Sequence, residues 1–148
     1  MTNTHKLALK IAAGLWVVWG LVHCLAGVIV LSSDAGGAFA AVADAVDPAA
    51  LAGDYHPAVG GLINQHGWNL LWFGAATLIG AVFIWRANMT AIWVTAMVGG
   101  FADLGYFFFV DLPGFVHFIP GTLMTIVSAS AIILSFWAYA AGRGAKIA

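Results

Sequence analysis

Four apolar stretches, each long enough to cross a lipid bilayer, constrain most strongly what this chain can fold into. They cover residues 11–31, 59–85, 91–110 and 121–140. A helix needs about 20 apolar residues to span a hydrocarbon core about 30 Å thick. Because that core offers no hydrogen-bonding partners, a spanning segment must satisfy its own backbone groups, and an α-helix does so within one segment. The sequence therefore predicts an all-α protein with four transmembrane helices.

Composition supports the membrane prediction and excludes other classes. Hydrophobic residues make up 63% of the 148 residues and charged residues 7%, whereas soluble domains carry about 25% charged residues. The apolar runs lack the alternation typical of a membrane β-barrel, and so few basic residues give no support for nucleic-acid binding. Short connections at 86–90 and 111–120 predict one up-down-up-down domain over residues 1–148, with the lipid bilayer as its main partner.

Charge placement predicts how the bundle is oriented. The basic residues flank the spans on one side: Lys6, Lys10, Arg86, Arg143 and Lys146. Acidic residues outside the spans fall on the other: Asp34, Asp44, Asp47, Asp54 and Asp111. Since loops rich in Lys and Arg stay in the cytoplasm, we expect both termini to be cytoplasmic in a multi-pass protein of the cell (plasma or inner) membrane.

Two segments near the N-terminus need separate interpretation. The first apolar run is longer than the 7 to 15 residues of a signal peptide's apolar region, so we expect it to be retained as a helix. The loop 32–57 has an Ala-rich middle at 37–52. It is either a short amphipathic surface helix over the mouth of the bundle or a linker loosened by its glycines.

Three ionisable residues, His23, His66 and Asp103, lie inside three different apolar runs. Groups of this kind are costly in a bilayer, and their convergence from several spans indicates a built site. Counting about 1.5 Å per residue from the basic end places His23 and Asp103 about 20 Å along their helices, with His66 about two turns higher. The sequence predicts a polar shaft that enters from the outer face.

Helical spacing predicts that these groups face the protein interior. Each shares a stripe with small residues, which mark close helix contacts in membranes. The stripes are Trp16, Gly20, His23, Gly27; His66, Asn69, Phe73, Ala76, Gly80; Ala96, Gly99, Asp103, Tyr106, Val110; and Met124, Ser128, Ser135. His117, just ahead of Pro120, is expected to hang over the same region. The predicted site therefore comprises His23, His66, Asn69, Asp103, Tyr106 and His117.

The first hypothesis for this site is binding of a metal or small ligand, with a homo-oligomer or a larger membrane complex as its working unit. His23, His66, Asp103 and His117 are candidate ligands of a divalent transition metal, and Asn69, Tyr106 and His117 candidate ligand-binding groups. No pair has a diagnostic spacing. His23 and His66 are also the candidate axial pair for a non-covalent haem b.

Three other hypotheses stay open. In a membrane-embedded enzyme acting on a lipid- or quinone-like substrate, His23 or His66 would be the base, Asp103 would orient it and Tyr106 would polarise an oxygen. The same ionisable groups would serve a proton-coupled transporter. Alternatively, the polar groups only hold helices together, with His66 and Asn69 hydrogen-bonded to neighbouring helices and His23 paired with Asp103.

Overall fold

The computed structural model describes residues 2–144, and in them the chain forms helices joined by short loops. The α-helices are α1 (Asn3–Ser32), α2 (Ala35–Val42), α3 (Pro48–Leu51), α4 (Pro57–Trp85), α5 (Met89–Tyr106) and α6 (Leu123–Gly144). A π-helical turn, Phe107–Asp111, extends α5, and a second, Phe118–Thr122, leads into α6.

Four helical segments are long and apolar enough to cross a membrane: Asn3–Ser32, Pro57–Trp85, Met89–Asp111 and Phe118–Gly142. Each contains one predicted run, so the expectation of four candidate membrane spans in a multi-pass protein is confirmed. The first span starts earlier than its apolar run because Thr2 caps it. The Thr2 hydroxyl accepts from the His5 backbone N–H, and the His5 ring accepts from the Thr2 N–H.

Contacts at one end of the bundle show that neighbouring long helices run antiparallel. Each contact joins the start of one helix to the end of another: Lys10 to Trp85, 5.1 Å from Nζ to the ring centroid, and His5 to Trp137 and Trp93 to Phe136, 5.4 and 4.6 Å between ring centroids. We call this the basic end, because it carries Lys6, Lys10 and Arg86. The side chain of Arg143 and all of Lys146 lie outside the described residues.

Helices α1 and α4 approach each other through their backbones. Gly20 and Gly27 on α1 face Gly74 and Gly67 on α4. A Cβ atom added to Gly27 would lie 2.7 Å from the Gly67 carbonyl oxygen, and one added to Gly74 would lie 2.5 Å from the Gly20 carbonyl oxygen. Since lipid gives little hydrophobic drive for helix association, such close contact between small residues holds the pair together.

The opposite end, which we call the capped end, is covered by α2. Ala38 is fully buried beside Val30 of α1 and Ile63 of α4. The loop that follows α2 is tied to the α5–α6 connection, because Asp44 Oδ1 accepts a 2.8 Å hydrogen bond from the His117 backbone N–H. Loop 32–57 is therefore a helical cap in this structure rather than a linker.

Candidate functional site

Asp103 is the buried carboxylate at the base of the site. It lies on the face of α5 that includes the buried Gly99, and its side chain is 5% exposed. The indole Nε1–H of Trp19, from α1, donates a 2.8 Å hydrogen bond to Asp103 Oδ2. A carboxylate at this depth is expensive, and a buried indole N–H needs an acceptor, so this contact satisfies both groups.

His23 lies one turn along α1 from Trp19 and stacks on its ring, with 3.5 Å between centroids and 17° between planes. His23 Nδ1 is 2.8 Å from the Trp19 carbonyl oxygen. Its other nitrogen, Nε2, faces Asp103 Oδ1 at 3.9 Å. Because a carbonyl oxygen can only accept, Nδ1 must carry a proton and donate it.

This geometry turns the remaining acceptor atoms of His23 and Asp103 towards each other. Nδ1–H is committed to the Trp19 carbonyl and the Trp19 N–H to Oδ2, so a lone pair of Nε2 faces a lone pair of Oδ1. A proton on either atom, or a water that donates to both, makes this contact attractive. The 3.9 Å separation is too long for a direct hydrogen bond and leaves a place for a bridging water.

His66 provides the unpaired polar atom of the site. Its Nε2 is buried and has no hydrogen-bond partner within residues 2–144. Together with His23, Asp103 and Tyr106, His66 lines a cavity of about 90 Å³, which we call the histidine cavity. A water needs roughly 10 to 15 Å³ of such space and two to four polar partners, so the cavity has room and groups for a small polar ligand or several waters.

Every long helix contributes a wall to the histidine cavity. Ala41 and Val42 of the capping segment form part of its lining, and Gly121, ahead of α6, lies opposite. A Cβ atom on Gly121 would come within 2.9 Å of the Tyr106 hydroxyl oxygen. The glycine therefore leaves the space that the tyrosine hydroxyl occupies at the cavity.

A second hollow, of about 290 Å³, adjoins the histidine cavity on the side where α4 faces α5. The two share His23, His66, Leu70 and Tyr106. We call this hollow the lateral groove. Phe109, which is 77% exposed, lines it, so the groove extends to the lateral surface of the bundle.

The structure brings together four of the six predicted site residues: His23, His66, Asp103 and Tyr106. Asn69 does not line the histidine cavity, and its side-chain oxygen accepts a 3.1 Å bond from Trp72 on the same helix. Gly67 sets the face of α4 that contacts α1, and Asn69 is two positions, or about 200°, further round the helix.

His117 also lies outside the cavity. Its backbone N–H is bound to Asp44, but the residue is exposed and its ring lines neither hollow. It stands in the loop before the second π-helical turn, so helical counting did not apply to it. The predicted reach of His117 over the site is therefore not found.

The predicted metal centre of His23, His66, Asp103 and His117 finds no support. Within the described residues, no three His, Cys, Asp or Glu side chains form a group that could hold a metal ion. His23 and His66, the candidate axial pair for haem b, both line the histidine cavity of about 90 Å³ and the lateral groove of about 290 Å³.

Sequence reasoning missed Trp19, the partner of Asp103. A signal was present, because Trp19 precedes His23 by one helical turn and an indole N–H in a membrane span requires an acceptor. The carboxylate of Asp103 was the only acidic acceptor inside a span. Ser128 of α6, placed correctly on an interior stripe, is 2% exposed and lies beside the same carboxylate.

Comparison of the chain with protein-family models, with curated proteins and with solved structures finds no match.

Proposed function

We propose that this multi-pass membrane protein binds a small hydrogen-bonding ligand in the histidine cavity. The observation that carries the proposal is the buried, unpartnered Nε2 of His66 at the cavity wall. A buried polar atom left without a partner costs about 1 to 3 kcal/mol. A ligand or water that pairs with this nitrogen recovers that cost.

The other cavity groups complement His66. Tyr106 brings a hydroxyl from α5, and His23 Nε2 and Asp103 Oδ1 bring two atoms that can accept a hydrogen bond. These groups come from three helices, so a bound oxygen or nitrogen can be contacted from more than one side. This arrangement suits a carbonyl or hydroxyl group better than a metal ion, which needs several ligands around one point.

We further propose that the capped end faces the outside of the cell and the basic end the cytoplasm. The positive-inside rule supports this orientation through Lys6, Lys10 and Arg86. The histidine cavity lies towards the capped end, beneath α2. The ligand would then be bound in the outer half of the bilayer.

The test uses protein labelled with ¹⁵N-histidine in lipid nanodiscs, with phenol as a donor probe and cyclohexanone as an acceptor probe. We expect at least one probe to shift the His66 ring signal saturably. Signals of His5, His56 and His117, which line neither hollow, serve as internal controls. Each signal is assigned from its His→Gln variant.

A His66 signal that responds to neither probe would contradict the proposal. So would a shift of equal size in all five histidine signals, because that pattern reports probe dissolved in the bilayer.

Proton transfer is the second candidate function, favoured by the ionisable pair of His23 and Asp103, whose Nε2 and Oδ1 atoms face each other at 3.9 Å. Water in the histidine cavity would connect that pair to His66. The Nε2 atom of His66 has no hydrogen-bond partner in residues 2–144. An intramembrane Asp and His relay is a common route for protons.

Proton flux into proteoliposomes, driven by a potassium potential and read by an internal pH dye, tests this candidate. We expect flux in the natural protein, its loss in Asp103→Asn, and its retention in Asp111→Asn, a control carboxylate that accepts from Thr122 at 2.8 Å. Flux no greater than in empty liposomes would exclude proton conduction.

A further inference from the structure

We propose that the ligand of the histidine cavity is an uncharged amphiphile, with a carbonyl or hydroxyl head and an apolar tail, which reaches the cavity sideways from the bilayer through the lateral groove. The inference rests on the proposed function, because it presupposes that the cavity binds a ligand. It adds the chemical class of that ligand and the route by which it arrives.

The lining of the groove is polar only where it meets the cavity. His23, His66 and Tyr106 stand at the junction of the two hollows. The remaining groove residues have no polar side-chain atoms: Leu70, Phe73, Ala102, Gly105, Phe109 and Val110. A molecule that fills both spaces must therefore carry its hydrogen-bonding atoms at one end and hydrocarbon at the other.

The groove reaches the surface of the bundle beside Gly105 and Phe109. A Cβ atom added to Gly105 would meet nothing within 4 Å, and Phe109 is 77% exposed. Towards the capped end, Ala41 and Val42 stand over the cavity and Asp44 binds the α5–α6 loop. Because the groove lies between two candidate spans, the medium at its outer side is the acyl-chain region of the bilayer.

The charges near the histidine cavity favour a ligand whose head group is uncharged. Asp103 lines the cavity, Asp44 binds the loop that leads to Gly121, and Asp111 accepts a hydrogen bond from Thr122, next to Gly121. The described basic side chains Lys6, Lys10 and Arg86 are at the other end of the bundle. An anionic head, such as a fatty-acid carboxylate, would meet repulsion in the cavity without a cation to offset it.

Because the ligand binds from the bilayer, its head and its tail contribute to affinity in different ways. Moving a tail from lipid into an apolar groove changes its surroundings little, so the head supplies the binding contacts. The tail concentrates the molecule in the bilayer, at about 0.8 kcal/mol per CH₂ group relative to water. Affinity expressed against the aqueous concentration should therefore rise about fourfold with each added CH₂.

The test compares phenol, 4-butylphenol and 4-octylphenol in nanodiscs, with the His66 ¹⁵N signal as the readout. Gly105→Trp fills the groove, and Gly14→Trp is its matched control, because neither glycine has an atom within 4 Å of an added Cβ. We expect Gly105→Trp to weaken 4-octylphenol binding about tenfold without changing phenol binding. Gly14→Trp should change neither.

Three results separate the possible failures. If phenol binds but Gly105→Trp leaves 4-octylphenol unaffected, the lateral route is wrong and the proposed function survives. If decanoate shifts the His66 signal at concentrations as low as those of 4-octylphenol, the uncharged head is wrong. If neither phenol nor its alkyl derivatives act on His66, the proposed function and this inference both fail.

Discussion

At the scale of single residues, the site depends on which polar atoms find partners. Trp19 donates to Asp103 through its indole and accepts from His23 through its backbone carbonyl. One residue therefore fixes both the carboxylate and the imidazole ring. His66 Nε2 has no hydrogen-bond partner in the described residues, whereas Trp19 Nε1 and His23 Nδ1 both have one. His66 is therefore the residue at which a ligand gains most.

Trp19→Phe should destabilise the bundle by about 1 to 3 kcal/mol beyond the loss of packing, because Asp103 Oδ2 would lose its donor while remaining buried. Unfolding by SDS titration measures this free energy. Trp16→Phe is the matched control, since Trp16 is 1% exposed and removes the same atoms without a hydrogen bond to Asp103. Equal losses in the two variants would show that the Trp19–Asp103 bond contributes nothing.

Gly121→Ala should weaken binding at the histidine cavity. The added Cβ would lie 2.9 Å from the Tyr106 hydroxyl oxygen and 2.8 Å from Val116 Cγ2, so the tyrosine must move. We expect a severalfold weaker response of the His66 NMR signal to phenol. Gly60→Ala, with no atom within 4 Å of its Cβ, should respond as the natural protein does, and an unchanged affinity in Gly121→Ala would remove Tyr106 from the ligand contacts.

At the scale of elements, the glycine contacts between α1 and α4 fix how each helix is rotated about its axis. With Gly67 and Gly74 against α1, His66 is directed to the cavity and Asn69 is not. The predicted stripe on α4 included Asn69, which lies about 200° round the helix from Gly67, and it was therefore centred away from the face that contacts α1. Spacing alone identifies several candidate stripes on a helix, and the partner helix selects among them.

Gly74→Val should separate α1 from α4 and lower the free energy of unfolding by about 1 to 3 kcal/mol or more, as overpacking does. Its added atoms would meet the Gly20 carbonyl oxygen and the backbone nitrogen of Cys24. Gly14→Val is the control, because the space beside Gly14 is open. SDS titration again supplies the measurement, and equal stability of the two variants would refute the close α1–α4 contact.

Asp44→Ala should loosen the connection between the capping segment and the α5–α6 loop. The hydrogen bond from the His117 backbone N–H to Asp44 Oδ1 is lost, and a bond to a charged group contributes about 1.5 to 3 kcal/mol. We expect the His117 amide to exchange with deuterium faster, at least tenfold at about 1.4 kcal/mol. Asp47→Ala, which removes only the cap of α3, should leave that amide unchanged; an identical rate in Asp44→Ala would refute the tie.

At the scale of the whole molecule, the chain separates its charges between the two ends of an apolar bundle. The described basic side chains lie at the basic end, and Asp34, Asp44, Asp47, Asp54 and Asp111 lie in segments at the capped end. Among the described charged residues, Asp103 alone lies within one of the apolar runs 11–31, 59–85, 91–110 and 121–140, and it is buried rather than exposed to lipid. This distribution matches what a bilayer tolerates.

Cysteine labelling in intact cells tests the orientation. In a Cys24→Ser background, Gly53→Cys in the loop between α3 and α4 should react with a membrane-impermeant maleimide. Ala87→Cys, in the connection between α4 and α5, should react only after the cells are lysed, because the positive-inside rule retains that connection in the cytoplasm. The reverse labelling pattern would invert the proposed topology.

The sequence by itself determined the four spans, the separation of charge and the three ionisable residues that must be buried. These features follow from the composition of each short stretch of chain. A bilayer requires every spanning segment, taken separately, to be long enough to cross it and to bury few polar groups. Only the tertiary structure decided that Trp19 pairs with Asp103, that His66 Nε2 stays unpaired, and that Asn69 and His117 fall outside the cavity. The outcomes on the helices depend on the rotation and closeness of segments that are distant in the chain, which for α1 and α4 are set by backbone contact at the paired glycines; His117 lies in a loop, where helical spacing makes no prediction.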